Sequence, residues 1–163
     1  MATNERKRVL FLCTGNSARS QMAEALVNHF LADRWEAVSA GTQPAEQVHP
    51  LAVRAMAELG LDLSAQRPKS VEAFRETPLD LVVTLCGDAA ENCPLWLGKG
   101  RVVHIGFPDP AAATGTEEER LAVFRKVRDA LREQVLAFLT SFQEGPPADG
   151  LDLHLAINES GNE

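Results

Sequence analysis

The sequence has no tyrosine, two tryptophans and three cysteines, and its 23 acidic residues outnumber 16 basic ones for a formal charge of -7. Such a surface repels polyanions at long range, which excludes a general nucleic-acid or acidic-membrane binder but leaves room for a local anion pocket. Long apolar runs are also missing. The opening MATNERKRVLFLC sets charges before a brief apolar stretch, Val9 to Cys13, too short for a signal-peptide core and far too short to cross a bilayer. The expected location is therefore the cytoplasm. In that reducing compartment an odd set of cysteines, Cys13, Cys86 and Cys93, argues against a static disulfide framework and for catalysis, redox work or plain burial. No C-x-x-C or H-x-x-x-H pair is present to suggest a metal site, and neither G-x-x-x-x-G-K-[ST] nor G-x-G-x-x-G to suggest a nucleotide loop.

What is present is a chain of 163 residues, 45% apolar, enough for one substantial core. Apolar runs at Arg8 to Cys13, Ala37 to Ala40, Leu79 to Leu85 and Arg101 to Ile105 read as buried strands. Helical periodicity fills the gaps. Met22, Ala25, Leu26, His29 and Phe30 predict the stripe of a helix from about Ala18 to Asp33. Ala52, Ala55, Met56 and Leu59 predict another from Pro50 to Leu59, stopped by Gly60. A short helix is expected after Ser70. Thr116 and Glu119 have capping-box spacing for a last helix, whose stripe runs from Leu121 through Phe124, Val127, Leu131 and Val135 to Phe138, with its end near Phe142. His29 and His49 read as packing and capping residues, Trp35 and Trp96 as covers of core edges. Strands alternating with helices imply right-handed crossovers, hence a three-layer α/β/α domain around a parallel sheet of about four strands, over residues 1–142. The Gly- and Pro-containing stretch after Gln143 leads to an acidic, polar finish, so residues 143–163 read as a flexible tail.

Ligands of such sheets sit at the carboxyl ends of the strands, and the first strand ends in Cys13-Thr14-Gly15-Asn16-Ser17-Ala18-Arg19-Ser20. A cysteine and an arginine separated by five small or polar residues, with a helix starting at once, make a wrapped anion site. Gly15 and Asn16 can take the left-handed angles that turn successive N–H groups inward, and the helix amino end adds its positive dipole. A thiol in that field is favoured as thiolate, Ser20 could donate a hydrogen bond to its sulfur, and Arg19 offers a planar fork to two oxygens of a tetrahedral oxyanion.

CTGNSARS after VLFL resembles the C-x5-R-S loop of the low-molecular-weight protein tyrosine phosphatases and of the thioredoxin-coupled arsenate reductases built on the same fold. The resemblance extends to SAGT at Ser39 to Thr42, HP at His49, GLDLS at Gly60 to Ser64, LVVTLC at Leu81 to Cys86 and DP at Asp109. It implies Cys13 as nucleophile, residues Thr14 to Ser20 as the oxyanion cradle, Arg19 as the oxyanion clamp, Asn16 as the residue that fixes the loop, and Asp109 as general acid. Asp109 is physically suited to that part, since it follows a strand and is stiffened by a proline on each side. On its own, without the resemblance, it reads rather as a carboxylate in a Pro-Asp-Pro turn.

A phosphatase of this type needs one thiol, whereas reduction of arsenate to arsenite needs two electrons, for which Cys86 and Cys93 are the source that the arsenate-reductase resemblance implies. Cys86 would attack the Cys13 sulfur and Cys93 would draw the oxidation onto a Cys86–Cys93 disulfide that thioredoxin reduces. Residues seven apart on a straight helix lie roughly 10 Å apart, beyond the about 4.4 to 6.8 Å of a disulfide, so the short helix expected after Gly87 must partly unwind for that bond. Two features favour the reductase branch over the phosphatase alternative. Ala111 to Ala113 follow Asp109-Pro110 where related phosphatases commonly carry an aromatic substrate wall, and Ala18 replaces a second loop cysteine. In some arsenate reductases of this type a potassium ion supports the loop; Asn16, Glu24 and Ser39 match part of that site, and Lys69 could supply a fixed ammonium in its place. The implied protein is a monomer that takes arsenate, with phosphate or sulfate as competitors, and thioredoxin as partner. It carries no tightly bound cofactor and no metal.

Overall fold

The computed structural model describes residues 6–86 and 100–142. Within them the order is β1 (Lys7–Cys13), α1 (Arg19–Phe30), β2 (Trp35–Gly41), α2 (Pro50–Ala57), a 3-10 turn (Val71–Phe74), β3 (Leu81–Thr84), β4 (Arg101–His104), a second 3-10 turn (Pro110–Ala112) and α3 (Glu117–Ser141). The four strands are parallel, in the order β2-β1-β3-β4. β1 thus sits between two partners, and every one of Val9 to Cys13 is buried.

The pleat sorts the apolar residues into two layers. Val9, Phe11, Ala37, Leu81 and Val83 join Met22, Leu26, Met56, Phe124 and Leu131 in the main core beneath α1, α2 and α3. Leu10, Leu12, Ala40 and Val82 form the opposite, smaller cluster with Val38, Val71 and Phe74. Full burial of each large side chain contributes about 1.5 to 3 kcal/mol, so the core under the helices supplies most of the stabilisation. α3 begins as its sequence predicts: Thr116 Oγ1 accepts from Glu119 N at 3.1 Å and Glu119 Oε1 from Thr116 N at 2.8 Å. α2 and α3 are cross-linked by Glu58, which takes Arg125 at 2.7 Å and Arg128 at 2.7 Å; Arg128 also donates to Ala55 O at 2.8 Å.

Several expectations are corrected. α1 ends at Phe30, and its buried stripe is Met22, Ala23, Leu26 and Val27. His29 and Phe30 are exposed, edge to face with each other, with Arg132 over the Phe30 ring. A period of 3.6 had two phases available, and packing on the sheet selects the one through Ala23 and Val27. β2 is longer than its apolar run because it is an edge strand: Glu36 is half-exposed and paired with Arg8 at 3.1 Å. β3 is shorter than its run, although Leu85 N still bonds Leu12 O at 2.9 Å. The helix expected after Ser70 is the 3-10 turn, with Ser70 Oγ accepting from Glu72 N at 3.1 Å. Trp35 is buried and edge-on to Phe142. Trp96, the helix expected after Gly87 and the tail lie outside the described residues.

Candidate active site

From Cys13 the chain wraps through Thr14, Gly15, Asn16, Ser17 and Ala18 into α1. Three loop carbonyls are held from outside by the strap 43–49: Thr14 O by Gln43 N at 2.9 Å, Gly15 O by Ala45 N at 2.9 Å and Ser17 O by His49 N at 2.8 Å. In a trans peptide the C=O and N–H point opposite ways, so the N–H groups of Gly15, Asn16 and Ala18 turn to the concave side, toward which α1 directs its positive end. Asn16 makes the left-handed turn, φ 51°. Gly15, expected to share it, does not. Gly41 pairs with Cys13 across the sheet, and the loop rests directly on it. A β-carbon there would lie 2.9 Å from Asn16 N and 3.0 Å from Thr14 C, and closer still to the Thr14 oxygen.

Cys13 is buried, with Sγ 2.9 Å from Ser20 Oγ. The direction of that hydrogen bond follows from its neighbours. The Lys69 backbone N–H can only donate, and it meets Asn16 Oδ1 at 2.8 Å; the Asn16 amide nitrogen must therefore face Ser20 Oγ, at 2.7 Å. Ser20 accepts from Asn16, which leaves its own hydrogen for the Cys13 sulfur. That arrangement stabilises negative charge on sulfur.

Arg19 is buried, donating from Nη1 to Phe107 O at 3.1 Å and Leu85 O at 3.4 Å, while Nη2 lies 3.8 Å from Asp109 Oδ2. It ties the loop to the segments leaving β3 and β4. Asp109 is exposed, and its Oδ1 accepts from Ala111 N at 3.0 Å. One oxygen of Asp109 thus caps the turn and the other faces Arg19. Cys86 is a buried thiol two residues beyond β3, the strand that pairs with β1. Cys93 lies outside the described residues.

Behind the loop, Glu24 Oε1 accepts from Ser39 Oγ at 2.6 Å and lies 3.8 Å from Lys69 Nζ. Burial pushes the Glu24 carboxyl above its ordinary value, and the Ser39 hydrogen bond and the Lys69 charge draw it partly back. His49 caps α2, its Nδ1 accepting from Leu51 N at 3.1 Å, and packs on Phe124. Burial, then the Arg120 charge, hold it below its usual value, as an accepting Nδ1 requires. A cavity of about 510 Å³ between Glu46, Val48, Val53, Leu63 and Arg67 includes none of Cys13, Arg19 or Asp109. Two residues passed over in the sequence join the site from below, Gln21 and Gln66; Gln21 is fully buried in the first turn of α1. Hydrophobic spacing gives no signal for Gln21, which lies off the apolar stripe.

Sheet, loop and buried thiol are those of a phosphatase-type α/β enzyme. The chain belongs to the low molecular weight phosphotyrosine protein phosphatase family, whose profile matches residues 8–146. It is 48% identical over 133 residues to the arsenate reductase of Halalkalibacterium halodurans, covering 82% of this chain and 95% of that protein. It is also similar to a solved arsenate reductase in its phosphate-binding state, with a TM-score of 0.70 and 32% identity over 84% of this chain and 99% of that one. A thioredoxin-dependent arsenate reductase of Corynebacterium glutamicum matches with a TM-score of 0.56 and 27% identity, over 86% of this chain and 66% of that one. Among the described residues no helix is long and apolar enough to cross a membrane.

Proposed function

We propose that this protein reduces arsenate to arsenite in the cytoplasm through Cys13, Cys86 and Cys93, with thioredoxin as the reductant. The observation that carries the reading is a buried thiol inside an oxyanion-shaped loop with a second buried thiol two residues past the end of the adjacent strand. The register Leu12↔Thr84 sets Cys13 level with Leu85, so the Cys86 thiol follows one residue further along, at the same carboxyl edge of the sheet. The name of the Corynebacterium relative supports thioredoxin as the partner.

The inward N–H groups and Arg19 hold the arsenate oxygens, as they would hold competing phosphate or sulfate. The Cys13 thiolate attacks arsenic, forming an S–As bond, and the oxygen that leaves takes a proton from Asp109. The Cys86 thiolate then attacks the Cys13 sulfur. An S–S bond forms, the S–As bond breaks with its electron pair passing to arsenic, and As(V) leaves as As(III) in arsenite. Cys93 attacks the Cys86 sulfur, expelling the Cys13 thiolate and leaving a Cys86–Cys93 disulfide, which the thioredoxin dithiol reduces. Both electrons come from thiols, so no bound cofactor is needed.

The test is arsenate-dependent NADPH oxidation with thioredoxin and thioredoxin reductase, comparing wild type with Cys93→Ser. Sustained wild-type turnover with at most one turnover in the variant is expected. No arsenate-dependent oxidation, alongside steady hydrolysis of an aryl phosphate, would assign the site to phosphatase chemistry and return Cys86 to the core.

A further inference from the structure

Gln21 is fully buried one residue beyond Ser20, and every polar atom of its side chain is engaged. Its Nε2 reaches three oxygens: Asn16 Oδ1 at 3.0 Å, Asn16 O at 3.1 Å and Arg67 O at 3.0 Å. Two of these are backbone carbonyls, which can only accept, so the amide orientation is unambiguous. Its Oε1 accepts from Gln66 Nε2. Two hydrogens shared among three acceptors hold both ends of Asn16, backbone and side chain, at the left-handed turn of the loop. The same amide draws the strap 66–69 against the loop, and that strap brings the Lys69 N–H onto Asn16 Oδ1. Asn16 in turn presents its nitrogen to Ser20, and Ser20 its hydrogen to Cys13.

We propose that Gln21 is a positioning residue for the reaction: by clamping Asn16 to the strap 66–69 it fixes the direction of the Asn16–Ser20–Cys13 hydrogen-bond chain and so keeps the sulfur an acceptor. Gln21 does not touch the oxyanion. Its effect is on the hydrogen bond that the Cys13 sulfur accepts, and so on how fast that sulfur reacts. A side chain of the same length without the amide strips Asn16 of its bonds to Gln21 at both the carbonyl and Oδ1, leaving the Lys69 N–H to orient the Asn16 amide, and so loosens the chain through Ser20. The proposal rests on the reading of Cys13 as the nucleophile.

The test is the pH profile of Cys13 alkylation by iodoacetamide in the full chain carrying Cys86→Ser and Cys93→Ser, with and without Gln21→Met. At pH 7 the variant is expected to alkylate about tenfold more slowly, the order of effect of one hydrogen bond to an ionised group, with its profile displaced to higher pH. A purely structural part for Gln21 would lower the melting temperature but leave the profile in place, and that result overturns the proposal. Should Gln21→Met not fold, Gln66→Met, which removes the bond to Gln21 Oε1 at a half-buried position, is expected to move the profile the same way by a smaller amount. An unmoved profile there overturns the proposal equally. A Cys13 that is unreactive even with Gln21 intact would sink the nucleophile reading, and the proposal with it.

Discussion

Gly41→Ala isolates the contact between loop and sheet. The added β-carbon would stand 2.9 Å from Asn16 N and 3.0 Å from Thr14 C, and nearer to the Thr14 oxygen. Ordinary contacts between such atoms are near about 3.5 Å, so the loop must retreat by about 0.5 to 1 Å. All three neighbours are backbone, and the strap 43–49 pins the same loop from outside, so no flexible side chain can absorb the shift. Overpacking of this kind costs about 1 to 3 kcal/mol of stability. A displacement approaching 1 Å at a reacting centre costs on the order of 100-fold in turnover. Gly60→Ala is the control. Gly60 has φ 79° with open space around it, so alanine there carries about 1 to 2 kcal/mol of backbone strain and no contact with the site. Both variants should melt at lower temperature, while only Gly41→Ala should lose arsenate-dependent NADPH oxidation and Cys13 alkylation under conditions where both remain folded. Turnover within twofold of wild type in folded Gly41→Ala, or equal losses in the two variants, would refute the reasoning.

Asp109→Asn keeps the cap on Ala111 N but has no proton to give, so arsenate-dependent NADPH oxidation should fall about 100-fold or more; a loss below about threefold would leave Asp109 with its turn alone. Lys69 Nζ already stands beside the partly buried Glu24, so replacing sodium by potassium should leave arsenate turnover within about twofold, and a several-fold stimulation by potassium would refute the substitution of cation by ammonium. Hydrogen bonds from Arg125 and then Arg128 hold the Glu58 carboxyl down from 4.5 to about 2. A carboxylate held low in the folded state stabilises above its unfolded value and loses that stabilisation as pH falls through the folded one. Glu58→Gln should therefore melt below wild type at pH 7, with the gap closing between pH 4.5 and about 2; thermal melts showing a gap unchanged at pH 2 would contradict the assignment.

The local parts of this molecule were written in local sequence. Strand hydrophobicity located the four strands, Thr116 and Glu119 fixed the start of α3 through two hydrogen bonds three residues apart, and the Cys13 to Ser20 motif marked the anion loop. These features depend on neighbours in the chain, where spacing and side-chain type suffice. The phase of the α1 stripe, the length of the edge strand β2 and the burial of Gln21 depend instead on surfaces that residues distant in sequence bring together. Nothing near Gln21 announces Arg67 and Gln66, some 45 positions away, and nothing near Gly41 announces the backbone of Thr14. The sequence by itself determined the sheet, the thiol and the loop that holds it. Only the tertiary structure decided which hydrogen points at that thiol, because the choice is made by a backbone N–H, at Lys69, that the parallel sheet and the strap carry to Asn16 across 53 residues of chain.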